Sequence, residues 1–140
     1  MYPVRLKADD NGTVIAEFPD VPEAMTVGND EAQAIERATD ALLVALSGYM
    51  DRHRDIPRPS RARRGDRHIA LPPLAAAKLA IYQAMRVQGL SQVGLAKRLG
   101  CDDRQVRRLL DLDHRSRLDH LERALAILGK RLILQVKDAA

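Results

Sequence analysis

Tryptophan is absent, phenylalanine occurs once, and aromatic residues make up only 3% of the 140-residue chain, so aliphatic side chains must build any core. Cysteine also occurs once, at Cys101, which excludes an intrachain disulfide. No apolar run approaches the roughly 20 residues that a membrane-spanning helix needs. The N-terminal M-Y-P-V-R-L-K has no signal-peptide core. The four histidines, His53, His68, His114 and His120, lack the close pairing of zinc ligands. Glycine-rich phosphate loops and the G-x-S-x-G elbow are missing. These absences predict a cytoplasmic protein with no cofactor, no metal site and no catalytic residue.

Charge is present but unevenly spread. Residues 1–50 hold three Lys/Arg against nine Asp/Glu, a net −6. Residues 51–66 hold six Arg against three Asp, and residues 67–140 hold fourteen basic against seven acidic side chains, a net +7. An acidic front and a basic back predict two modules with different partners: a basic one for the front, a polyanion for the back.

The front reads as a small αβ layer. Tyr2, Val4, Leu6 and Ala8 alternate with Arg5 and Lys7, the period of a half-buried strand over 2–8. Asp9-Asp10-Asn11-Gly12 is turn chemistry, and T-V-I-A-E-F at 13–18 predicts a second strand. P-D-V-P at 19–22 cannot join a ladder and is a loop. A third strand is predicted at Met25–Val27. Asp30 and Gln33 form the cap of a helix over about 31–52, with Ala34, Ile35, Ala38, Leu42, Leu46 and Tyr49 at helical spacing. Residues 55–66, with two prolines, a glycine and several arginines, have the composition of a basic linker, and His68–Leu71 is a candidate fourth strand. The domains are thus 1–54 with strand 67–71, the linker 55–66, and 72–140. A metal nuclease would need carboxylates converging from strand interiors; the first strand offers none, and Asp9 and Asp10 belong to the turn.

The back reads as helical. Residues 74–88 form an Ala- and Leu-rich helix ended by Gly89. Ser91 caps a short helix to Leu99, in which Leu95 and Leu99 point inward and Ala96 allows close crossing. Gly100 suits a left-handed turn. Asp102 and Gln105 cap a second short helix whose Val106, Leu109 and Leu110 face the core while Arg104, Arg107 and Arg108 face out. This is the pattern of a helix-turn-helix. A following helix is capped by Ser116 and Asp119, with Leu118, Leu121, Ala124, Leu125 and Leu128 as its stripe. Gly94 is a flaw inside the first short helix, costing about 1 kcal/mol against Ala. Cys101 is a small packing residue in the turn.

Such a motif enters the major groove with the start of its second helix on base edges. Asp103, Arg104, Gln105 and Arg108 are the base-contact candidates. Ser91, Gln92, Lys97, Arg107 and Arg115 are placed for phosphates. Past Gly129, Leu132, Leu134 and Val136 alternate as a terminal strand with no partner in a helical domain. It predicts pairing with the same strand of a second copy, giving an even oligomer on a palindrome with half-sites roughly 34 Å apart. The alternative is pairing with the front sheet.

Taken together, the chain resembles the HicB antitoxins of bacterial type II toxin–antitoxin systems, in the branch with a helix-turn-helix tail. The resemblance rests on the Y-P-V opening, the D-D-N-G turn, F-P-D-V-P at 18–22, T-V-G-N-D-E-A-Q-A at 26–34, L-P-P-L-A-A-A-K-L-A-I-Y-Q-A-M at 71–85, and then L-A-K-R-L-G and R-Q-V-R-R-L-L. One departure is Glu23-Ala24, where the family often has Gly-Cys. The resemblance implies an α+β chain: a truncated RNase H-like β-β-β-α-β domain without nuclease activity, followed by an all-α DNA-binding domain. It implies a small basic RNA-cleaving toxin, HicA, as the partner of the front, and operator DNA of its own operon as the partner of the back. The candidate toxin contacts are Glu17, Phe18, Asp20, Val21, Pro22 and Glu23. Two rival readings are a regulator whose front domain senses a small ligand, and a nuclease tethered to DNA.

Overall fold

The computed structural model describes residues 1–139. The chain divides into two compact units, one ending at Pro72 and the other starting at Pro73. The described residues form a mixed α+β protein with a four-stranded antiparallel sheet and five helices.

In the first unit, β1 (Tyr2–Ala8), β2 (Val14–Glu17), β3 (Thr26–Gly28) and β4 (Arg67–Ile69) lie in the order β3-β2-β1-β4. The hairpin pairs Arg5 with Glu17 and Ala8 with Val14. Its turn closes by Asp9 N–H to the Thr13 carbonyl at 2.8 Å, with Gly12 at φ 80°. β4 adds on the other side of β1, Tyr2 opposite Ile69. Burial fades along β1: Tyr2 and Val4 are buried, Leu6 is half-buried and Ala8 is exposed. Strands 2, 3 and 4 are shorter than or shifted from the expected spans, because the prolines and turn residues at their ends lack ladder partners.

Helix α1 (Glu31–Asp51) is capped as the sequence predicts. The Asp30 carboxylate accepts from Gln33 N–H at 2.8 Å, and the Gln33 side-chain oxygen accepts from Asn29 N–H at 2.8 Å. Its buried face, Ala34, Ala38, Leu42, Leu46 and Tyr49, packs on β2 and β3. The approach is closest at Gly28, where a Cβ would stand 2.3 Å from Ala34 N and 2.7 Å from its Cα.

Residues 55–66 are not a free linker. Ile56 is buried, and Tyr2 Oη donates to the Pro57 carbonyl at 2.6 Å. Ser60 donates through both N and Oγ to Asp20, at 2.9 and 3.0 Å. Asp66 accepts from Arg5 Nε at 3.2 Å and from Arg63 N–H at 2.9 Å. The segment is extended, yet three anchor points tie it to the sheet unit. Composition alone does not reveal this, since Pro- and Arg-rich stretches look the same bound or free.

The second unit holds α2 (Pro73–Gln88), α3 (Gln92–Leu99), α4 (Asp103–Leu110) and α5 (Leu118–Ile127). Ile81, Met85, Leu95, Leu99, Val106, Leu109, Leu121 and Leu125 form one aliphatic core. Two expectations are corrected here. Ser116 does not cap α5: Arg117 occupies the cap position with no side-chain bond, and the Ser116 hydroxyl is used elsewhere. Leu118 is half exposed, whereas Leu110 packs against the core as expected. Within this one chain, the segment carrying Leu132, Leu134 and Val136 joins no sheet among the described residues. Leu132 packs on the helical core, while Leu134 and Val136 are exposed.

Candidate nucleic-acid and partner surfaces

The α3–turn–α4 pair is held at every joint. Ser91 Oγ accepts from Gly94 N–H at 3.0 Å. A Cβ on Gly94 would lie 2.8 Å from Leu90 Cδ1 and 3.2 Å from Ser91 Oγ, so the local flaw has a packing reason. Gly100 takes φ 69°, which glycine adopts without steric cost, and Cys101 N–H reaches back to the Ala96 carbonyl at 3.0 Å. Arg123 Nη2 adds a bond to the Leu99 carbonyl at 2.8 Å. Asp102 then caps α4, accepting from Gln105 N–H at 2.9 Å. Burial pushes the Cys101 thiol above its ordinary range, with the Asp102 charge adding to this, which suits a packing role and not a nucleophile.

Val106 and Leu109 turn α4 inward, and this leaves Asp103, Arg104, Gln105, Arg107 and Arg108 exposed together. Ser91 and Lys97 are exposed on α3 and Gln92 is half-buried; Arg115 is exposed in the loop after α4. Sequence reasoning passed over Arg98, which is exposed beside Lys97, and over the cations that flank Arg115 in D-H-R-S-R-L-D-H. Their density in an inter-helix loop was the available signal.

The end of α4 rests on a buried charge. Lys78, on α2, is fully buried. Its Nζ donates to the Arg108 carbonyl at 2.6 Å and to Ser116 Oγ at 2.7 Å. Burial pulls its pKa below the ordinary 10.5, and the Asp111 charge opposes this. A helix C-terminus carries a partial negative charge, so an ammonium there is favourable.

On the first unit the expected contact set separates. Phe18 and Val21 are buried, 2% and 0% exposed, and are core residues; an alternating Phe next to two prolines gives no sign of facing, so this part of the expectation is corrected. Glu17 pairs with Lys7 at 3.0 Å. Asp20 is held by Ser60. Pro22 and Glu23 are exposed, and both Glu23 carboxylate oxygens accept from Tyr49 Oη at 3.0 Å. Glu23's own backbone N–H, followed by Tyr49 and Arg54, holds that carboxyl below its usual range, while desolvation opposes them. The Arg54 guanidinium lies 4.9 Å from the Tyr49 ring centre. Of these acids Glu23 is exposed, while Glu17 and Asp20 are half-buried. Met25 and Val44 add exposed apolar area on the same unit. Among the described residues no group of three or more His, Cys, Asp and Glu is placed to hold a metal ion, and no helix is long and apolar enough to cross a membrane.

Residues 1–80 match the family described as HicB-like antitoxin of a bacterial toxin–antitoxin system. This chain belongs to that family. Its likeness to HicB antitoxins extends past the matched region into the helical unit. It is 35% identical over 133 residues to Antitoxin HicB 2 of Photorhabdus laumondii, covering 95% of this chain and 94% of that one. It is 36% identical over 133 residues to Antitoxin HicB of Escherichia coli strain K12, covering 95% and 96%. It is 36% identical over 132 residues to Antitoxin HicB of Pseudomonas fluorescens, covering 94% and 90%. The HicB relatives thus support an antitoxin role for a chain with both units.

Proposed function

We propose that this HicB-family chain neutralises a small basic RNA-cleaving toxin of the HicA kind through its first unit, and represses its own operon through its second. The observation that carries this reading is likeness to HicB antitoxins along 95% of the chain, across both units. The surface chemistry agrees with it. The first 50 residues carry −6 and the last 74 carry +7, so the two surfaces suit opposite partners.

In this reading the first unit is a truncated RNase H-like domain without catalysis, and Glu17, Asp20, Pro22 and Glu23 meet the toxin. Phe18 and Val21 support that loop from below. The α3–α4 pair is a helix-turn-helix. Asp103, Arg104, Gln105 and Arg108 meet base edges, and Ser91, Gln92, Lys97, Arg107 and Arg115 meet phosphates. The tail through Leu132, Leu134 and Val136 pairs with a second copy, so that two α4 helices address a palindromic operator in the bacterial cytoplasm.

The test is co-expression of the full chain with a HicA-like toxin, read as growth rescue and co-purification, beside gel shifts on the DNA upstream of its own coding sequence. Rescue with co-purification and a specific shift are expected. A chain that shifts this DNA but neither rescues growth nor retains the toxin would leave a regulator without an antitoxin role.

A further inference from the structure

The loop between α4 and α5 closes a cavity of about 260 Å³ against the side of α4. Its floor is apolar, from Leu99, Cys101 and Leu109. Its wall is cationic: Arg108, Arg115, Arg117 and Arg123, with His114 and His120. None of the residues lining it is acidic. Two of the arginines are committed, Arg117 to Asp119 at 3.1 Å and Arg123 to the Leu99 carbonyl at 2.8 Å. Arg108 and Arg115 make no side-chain hydrogen bond or ion pair among the described residues. Two uncommitted guanidiniums in one recess, with no carboxylate among its lining residues, leave it open to an anion from outside the chain.

The recess is also held in shape. Ser116, one of its lining residues, receives the buried Lys78 ammonium at 2.7 Å, donates to the Arg108 carbonyl at 3.3 Å, and lies 3.3 Å from His114 Nδ1. Lys78 therefore ties the last turn of α4 to the loop that carries Arg115.

We infer that this recess seats a backbone phosphate of the duplex that α4 enters, with Arg115 as its donor, His114 and His120 beside it, Arg108 at its rim toward the base edges, and Lys78 as the positioning residue. The inference rests on the DNA-binding reading. Position favours DNA over a free anion: the recess opens on α4, whose exposed face is the proposed base-reading surface, and the guanidinium fork matches a phosphodiester.

The experiment uses the full chain and two duplexes, one from the DNA upstream of its coding sequence and one of random sequence. Affinity is measured by fluorescence anisotropy across a range of salt. Arg115→Gln should weaken binding to both duplexes by the same factor and lower the slope of log affinity against log salt by about 0.9, the share of one phosphate. Arg115→Lys, which keeps the charge, should restore the slope. An unchanged slope in Arg115→Gln, with wild-type DNA binding intact, overturns the phosphate seat and leaves the DNA reading standing. Failure of the wild type to bind either duplex overturns both. A final arm follows the His114 and His120 ring protons by NMR, adding inorganic phosphate at constant ionic strength. No saturable shift is expected; a saturable one would make the occupant a free anion and overturn the DNA assignment.

Discussion

Lys78 Nζ stands 2.6 Å from the Arg108 carbonyl and ties α2 to the last turn of α4 from inside the core. Lys78→Met would fill similar space but remove the shortest donor to the Arg108 carbonyl and the ammonium held by the Ser116 hydroxyl, leaving that carbonyl only the longer bonds from Ser116 Oγ and Asp111 N–H, 3.3 Å each. The expected cost is about 1–3 kcal/mol by chemical denaturation. The wild type also carries a pH signature. Its Lys78 pKa is lowered in the folded state, so the unfolded chain binds more protons between the folded value and 10.5, and stability rises with pH through that window. The gap between wild type and Lys78→Met should therefore widen as the pH rises toward 10.5. A constant gap would mean that the lysine is equally solvated in both states.

Gly28 meets the Ala34 backbone so closely that any side chain must push α1 off β3. Gly28→Ala should cost at least about 1–3 kcal/mol, the usual range for overpacking, and lower the melting temperature of the first unit. A neutral result would show that the start of α1 yields easily.

Arg104 lies in the first turn of α4 and is fully available to a base edge. Arg104→Ala should cost about 1–3 kcal/mol on the specific operator and relax preference at one base position. Equal loss on specific and random DNA would reassign Arg104 to a phosphate.

Leu134 is 65% exposed in an extended segment without a ladder partner. Leu134→Asp should convert an even oligomer to a monomer in sedimentation velocity and weaken binding to a palindrome more than to a half-site. An oligomer that survives this change places the contact elsewhere.

The short helices show how much was legible in advance. Ser91, Gly100 and Asp102 do what their residue types predict, because capping and left-handed turns are local events decided within four residues. The same logic fails at Ser116. A local reading makes it a cap, but Lys78 lies 38 positions away in sequence and claims the hydroxyl instead. The arginines of 61–64 are exposed, as their composition suggests, but the neighbours Pro57, Ser60 and Asp66 are tied to Tyr2, Asp20 and Arg5 by contacts no local reading shows.

By itself the sequence determined the two-module division of charge, the succession of the four sheet strands and five helices, the caps of α1, α3 and α4, and the inward and outward faces of α4. Each of these follows from periodicity, side-chain chemistry or turn geometry over a few residues. Only the tertiary structure decided that Phe18 and Val21 are core, that Gly28 lies against the backbone of Ala34, and that a buried lysine braces the end of α4 beside a recess holding two uncommitted arginines. Those outcomes depend on which distant groups arrive at the same place, and burial, desolvation and the scarcity of partners inside a protein act only after they have met.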